Sequence, residues 1–349
     1  MSPILSHNPL VEQVVTGKAG ADLISMLLAR QLPLTDEEYL EALVYRMGNA
    51  EDKSAALNLL ASLPPTVKST YVRKRHCDHR VAYYVLVDGV NRNDMDAVAG
   101  IVQNQSLPPE YLEKIARHGN LAMLECLLEN QIKLIAYPAI MDTMAANPAC
   151  GSFVRARIQE IRDDYLLDTK VEEIPVDALT EDLREVIAKE ESPESSAQGE
   201  EDLADLIDER AMTTLQRINQ MPVSERIKLA LTGSKTERLI LIRDANKMVS
   251  LAVIESPKIS EDEVMLVVRN RSVSGDIIAR VAQNRDWTKN YNLVVELVNN
   301  PKTPVKNALG FIKKLHERDL RMLQANKNAS PVIRGLALSF IQQRIKKKG

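Results

Sequence analysis

Three observations predict an all-α protein assembled from stacked helical hairpins. The first is composition: the 349 residues include only 13 glycines, 9 tyrosines, 3 phenylalanines and 1 tryptophan, little of the turn and strand material that a large sheet uses. The second is local periodicity. In Pro108-Pro109-Glu110-Tyr111-Leu112-Glu113-Lys114-Ile115-Ala116 the prolines stand where a first helical turn tolerates them, and Leu112, Ile115 and Ala116 follow at helical spacing. The third is repetition: a polar break containing Asn, Ser, Gly or Pro, then an apolar helix of about three turns, recurs along the chain.

Taken in order, Leu32-Pro33, Leu63-Pro64-Pro65 and Leu107-Pro108-Pro109 mark helix starts in the first half, and Asn104 to Asn130 spans 26 residues. In the second half the breaks fall at Gly233, Asn246, Ser256, Asn270, Asn284, Asn300 and Asn326, at intervals of 13, 10, 14, 14, 16 and 26. The last interval covers two helices parted by His316-Glu317-Arg318-Asp319. One helix per roughly 13 residues gives one hairpin per roughly 26, and a single hairpin cannot bury its own apolar stripe. Neighbouring hairpins must therefore stack. Asn is a preferred cap, so the recurring asparagines are expected to end or begin helices; an amide ladder reading an extended ligand is the competing role.

The residues at the breaks carry a resemblance. Asn300-Pro301-Lys302-Thr303-Pro304-Val305-Lys306-Asn307-Ala308-Leu309, Asn104-Gln105-Ser106-Leu107-Pro108-Pro109-Glu110-Tyr111-Leu112 and Ala146-Asn147-Pro148 resemble the Asn-Pro-x-Thr-Pro helix starts of bacterial leucine-rich repeat variant and HEAT-like helical repeat proteins. The second half, from about Met221 to Lys348, is also similar to a helical domain of uncharacterised bacterial proteins. The resemblance implies an α-solenoid and specifies a stacking geometry rather than a chemistry. The iron–sulfur cysteine cluster of some leucine-rich repeat variant proteins has no counterpart, since Cys77, Cys126 and Cys150 are isolated.

Charge divides the chain. Residues 168–208 contain 15 Asp and Glu against Lys170, Arg184 and Lys189, and the centre, 189–200, is too charged and too poor in apolar residues to pack. The expected organisation is a helical repeat module over 9–167, an acidic linker over 168–202, a basic helical repeat module over 203–344 and a basic tail over 345–349, with short helices flanking the linker at Ala178 to Ala188 and from Leu203. From Ala211 to Gly349 there are 25 Lys and Arg against 12 Asp and Glu, a net of +13, whereas Met1 to Arg210 carries 20 against 36, a net of −16. A basic module attracts phosphates or acidic protein surfaces. The linker, tethered at high effective concentration, is expected to shield that module until a partner displaces it. The candidate binding residues are Arg243, Lys247, Arg269, Arg271, Arg280, Arg285 and Lys289, with Trp287 as the one indole among polar neighbours.

Other chemistry finds little support. Arg75-His76-Cys77-Asp78-His79-Arg80 is the only local cluster of metal-type ligands, but its spacing matches no structural zinc pattern and flanking cations repel a metal; an exposed basic turn is expected. Cys126 among leucines reads as core. Glu261-Asp262-Glu263 reads as a helix start, where carboxylates meet the positive end of the dipole. No phosphate loop, nucleophile elbow or His-Glu-x-x-His pair occurs. The expectation is a non-enzymatic interaction or scaffold protein, without cofactor or metal, taking a protein partner with an acidic surface; phosphate-mediated nucleic-acid binding by the basic module is the alternative. The longest apolar stretches, Tyr83 to Val87 and Leu239 to Ile242, fall far short of the roughly 20 residues of a membrane helix. Three cysteines and the absence of a basic-then-apolar leader point to the cytoplasm.

Overall fold

The structure is a computed structural model describing residues 8–166, 173–174 and 200–348, with 200–208 and 345–348 described by backbone alone. Among the described residues all regular structure is helical, twenty-two α-helices and a short 3₁₀ turn. The expected linker core, 189–200, and the helix expected over Ala178 to Ala188 lie outside the described residues save for Glu200. The chain divides into two compact units, Met1–Asp168 and Thr169–Gly349.

The first unit contains α1 (Pro9–Val15), α2 (Ala21–Leu28), α3 (Asp36–Arg46), α4 (Lys53–Ser62), α5 (Pro65–Val72), α6 (His79–Arg92), α7 (Met95–Gln103), α8 (Pro109–His118), α9 (Leu121–Leu127), α10 (Gln131–Ala136), α11 (Ala139–Ala146) and α12 (Ser152–Tyr165). The prolines of the sequence breaks sit at N1 of α5 and α8, where a missing N–H is harmless. Thr35 and Glu38 close a capping box on α3. Helices pack on the next helix and on the next but one: α3 on α5, α5 on α7, α7 on α9, α6 on α8.

The second unit contains α13 (Glu200–Asn219), α14 (Val223–Thr232), α15 (Lys235–Leu241), α16 (Lys247–Glu255), α17 (Glu261–Arg269), α18 (Gly275–Gln283), the 3₁₀ turn Trp287–Lys289, α19 (Tyr291–Asn299), α20 (Val305–Ile312), α21 (Glu317–Ala325) and α22 (Pro331–Lys348). The same rule holds: α14 packs on α16, α16 on α18, α18 on α20 and α20 on α22, while α17 packs on α19 and α19 on α21. Capping boxes formed by Ser234 with Glu237 and by Ser260 with Glu263 open α15 and α17. The core is filled by compact aliphatic side chains such as Val249, Val253, Val264, Ile277, Ile278, Val281, Leu297, Val298 and Ile312.

One polar device recurs at the breaks. Helix ends leave carbonyls without intrahelical partners, and a buried carbonyl needs a donor. Asn104, Asn147 and Asn300, all buried at the C-caps of α7, α11 and α19, supply one. Each Oδ1 accepts from the backbone N–H two residues on, at 2.9, 2.8 and 2.9 Å. Each Nδ2 reaches back to the last turn of an earlier helix: Val72 O at 2.6 Å, Ala116 O at 2.8 Å and Val268 O at 2.6 Å. Asn130 does the same from the N-cap of α10, donating to Val102 O at 2.6 Å, and the Ser256 hydroxyl donates to Leu231 O at 2.9 Å. These bonds span 32, 31, 32, 28 and 25 residues, about one hairpin each. The sequence period is therefore visible as a hydrogen-bond period.

Candidate interaction surfaces

The seven residues singled out by charge and Trp287 sit around α15 to α19, and the structure gives them different duties. Lys247 pairs with Asp276 at 2.8 Å, Arg269 with Glu296 at 3.1 Å, and Arg280 with Glu255; each pair ties a helix to the next but one. Lys289 pairs locally with Asp286 at 2.6 Å. Arg243 is half-buried, whereas Arg271 and Arg285 are exposed and form no ion pair among the described residues. Trp287 is a correction. Its 3₁₀ turn packs against α18 and α19 and leaves the residue only 5% exposed, so the indole is spent on the core and is not offered to a ligand.

Other basic residues of this unit are structural in the same way. Arg226 and Asp244 form a buried pair at 2.8 Å with both side chains 1% exposed, and the guanidinium also donates to Ile218 O and Asn219 O, each at 3.1 Å. Arg238 and Glu263 form a second buried pair, in which Nε and Nη2 donate to the two carboxylate oxygens at 2.9 and 3.0 Å, the fork geometry that favours arginine. Other cations donate to backbone carbonyls: Lys302 to Val273 O at 2.7 Å and Arg344 to Leu315 O at 2.8 Å, both in connections between helices, and Lys258 to Thr232 O at the end of α14.

The large apolar side chains that the second unit exposes lie on its C-terminal helices. Lys306, Lys313, Lys314, Arg318 and Lys327 are exposed there, beside Val305, Leu309, Met322, Val332 and Leu338. The four aromatics of this unit are turned inward: Trp287 and Phe311 are buried, while Tyr291 and Phe340 are half-buried. The Tyr291 hydroxyl donates to the Asp319 carboxylate and accepts from the His316 N–H at 3.0 Å.

In the first unit the expected exposed turn at Arg75 to Arg80 is only partly one. His76 and His79 are exposed, but Cys77 and Asp78 are buried. Asp78 caps α6 by accepting from Arg80 N at 2.7 Å and Val81 N at 3.2 Å, and accepts from the Tyr45 hydroxyl at 2.8 Å. Tyr71 donates to Glu41 at 2.8 Å and accepts from Asp78 N at 3.2 Å. Burial pushes the Cys77 thiol up to about 11, away from thiolate reactivity. Among the described residues no three His, Cys, Asp or Glu side chains converge as metal ligands. Beneath this turn lies Lys133, whose ammonium donates to Asn104 O at 2.8 Å and Leu107 O at 2.7 Å. Desolvation lowers it to about 7, against the smaller opposing pull of Cys77 and Glu110.

A surface that composition did not single out runs over α3, α6 and α8. The Arg80 guanidinium lies over the Tyr45 ring at 4.8 Å. Tyr111 meets both His79 and Tyr83 edge-on, with ring centroids at 6.5 and 6.0 Å, and Lys114 donates to the Tyr83 hydroxyl at 2.7 Å. Tyr83 is 49% exposed. Eight of the 9 tyrosines lie in this unit, and Tyr83 and Tyr111 stand one hairpin apart. That asymmetry and spacing were the available signal.

Among the described residues no helix is long and apolar enough to cross a membrane. Comparisons with family models, with curated proteins and with solved structures find no match.

Proposed function

We propose that this protein is a non-enzymatic interaction module, an α-solenoid of HEAT-like hairpins in two modules whose basic second half takes a protein partner with an acidic surface. Support for the solenoid comes from packing on the next helix but one and from polar bonds that repeat at about one hairpin's length. Support for a protein rather than a nucleic-acid partner comes from what the second unit exposes. Its free cations are interleaved with Val305, Leu309, Met322, Val332 and Leu338, and its four aromatics are buried or half-buried. Binding of single strands draws on exposed rings that stack bases, whereas an apolar centre with a charged rim suits a protein surface.

The test is a pull-down from native lysate with the full chain, with and without nuclease. A protein partner retained after nuclease treatment, and released by salt, is the expected result. Loss of bound material together with recovery of nucleic acid moves the reading to a phosphate-binding module.

A further inference from the structure

The helices α20, α21 and α22 are poor in carboxylates, with only Glu317 and Asp319, both at the start of α21. Neither α20 nor α22 has an Asp or Glu, and after Asp319, whose carboxylate is engaged by Tyr291, the chain runs to its last residue without one while carrying Arg321, Lys327, Arg334, Arg344, Lys346, Lys347 and Lys348. These helices also expose apolar side chains. Helix α22 buries Ile333, Ala337 and Ile341, yet Val332 and Leu338 on its other sides are 56% and 43% exposed. Met322 on α21 is 60% exposed, and α20, packed on α22, exposes Val305 before Lys306 and Leu309 between Lys306 and Lys313. A helix apolar on more than one face is ordinarily covered.

We propose that this end, formed by α20, α21 and α22, is the seat of an acidic amphipathic helix of a partner protein, with apolar side chains set on Val332, Leu338 and Leu309 and flanking carboxylates facing Lys306, Lys313 and Lys327. The proposal rests on the protein-binding reading above and names its partner and place. Charge complementarity selects the occupant: a second copy docking through the same surface would set cations against cations, while an acidic helix meets them with opposite charge. The helix-in-groove mode supplies anchors at i, i+3, i+4 and i+7.

The experiment is fluorescence anisotropy of the full chain with three labelled helical peptides of roughly 18 residues, about five turns: leucines at those spacings flanked by Glu, the same leucines flanked by Lys, and a scrambled Glu peptide. The expected result is saturable binding of the ordered Glu peptide alone, weakened at least about tenfold by Val332→Asp with Leu338→Asp and, in a second variant, by Lys306→Glu with Lys313→Glu, a loss of about 1.4 kcal/mol or more. Circular dichroism confirms that both variants keep their helices. Equal binding of ordered and scrambled peptides, or binding untouched by either variant, overturns the proposal. So does self-association lost in Val332→Asp with Leu338→Asp, which would assign the surface to a second copy, or binding to anionic phosphatidylserine vesicles in preference to the peptide, which would assign it to a membrane surface. If the partner retained after nuclease treatment is held equally well by both variants, the seat is wrong while the protein-binding reading stands; if nuclease releases the bound material, that reading itself fails.

Discussion

Lys133 is an ammonium held by carbonyls in a place with almost no water, and its pH dependence has a definite sign. Its folded value of about 7 lies below the ordinary 10.5, so between these two pH values the unfolded chain binds the extra proton and stability rises with pH. Cys77 and Cys126 act oppositely. Burial lifts both from 9.0 to about 11, so above pH 9 the folded state holds the extra protons and stability falls. Chemical denaturation at pH 7, 8 and 9 should therefore show a rising midpoint that flattens or reverses above pH 9. Lys133→Met should abolish the rise, and a variant with the wild-type slope would contradict the assignment. The Arg226–Asp244 pair offers a second test at this scale. Asp244→Ala strands a buried guanidinium and should cost about 3–5 kcal/mol, whereas Arg226→Met with Asp244→Leu should recover most of that loss in denaturant titrations. Lysine, arginine and aspartate read as surface residues in a sequence, so these buried ions were not legible there. Cys126 was, because its leucine neighbours are contiguous.

At the scale of the element, helix starts were the most legible feature: proline at N1 and Ser or Thr three residues before Glu act locally, through the first turn alone. The asparagines were legible as caps but not as tethers, because the carbonyl each one reaches lies about one hairpin away in sequence. The two roles separate experimentally at Asn300. Aspartate forms the same Asx turn as asparagine and can still accept from Lys302 N, but it has no N–H for Val268 O. Asn300→Asp should therefore be at least as destabilising as Asn300→Ala, about 1–3 kcal/mol for a buried carbonyl left without its donor. Thermal melts in which the aspartate variant matches wild type would reduce Asn300 to a cap. Trp287 shows the converse failure: its polar neighbours in sequence suggested a contact residue, but the ring is packed by α18 and α19, whose apolar faces the local window does not contain.

At the scale of the molecule, net charge was read correctly from the sequence, whereas its placement was not. The 25 Lys and Arg of the last 139 residues are an inventory; folding engages some of them in pairs between successive hairpins, such as Lys247–Asp276 and Arg280–Glu255, and others on backbone carbonyls, as with Lys302 and Arg344. Those carboxylate partners are 25 to 30 residues distant, beyond any window in which opposite charges are ordinarily weighed. The reach-back bonds of Asn104, Asn147 and Asn300 have an evolutionary corollary. Each fastens one hairpin to its predecessor by a group and a receptor that recur at the same offset. Duplication or loss of a whole hairpin leaves every clasp with a catch, while gain or loss of a single helix between an asparagine and its carbonyl strands that clasp. Within the clasped stretches, chain length can therefore drift only in steps of about two helices, a quantum of growth set by hydrogen bonding rather than by hydrophobic volume.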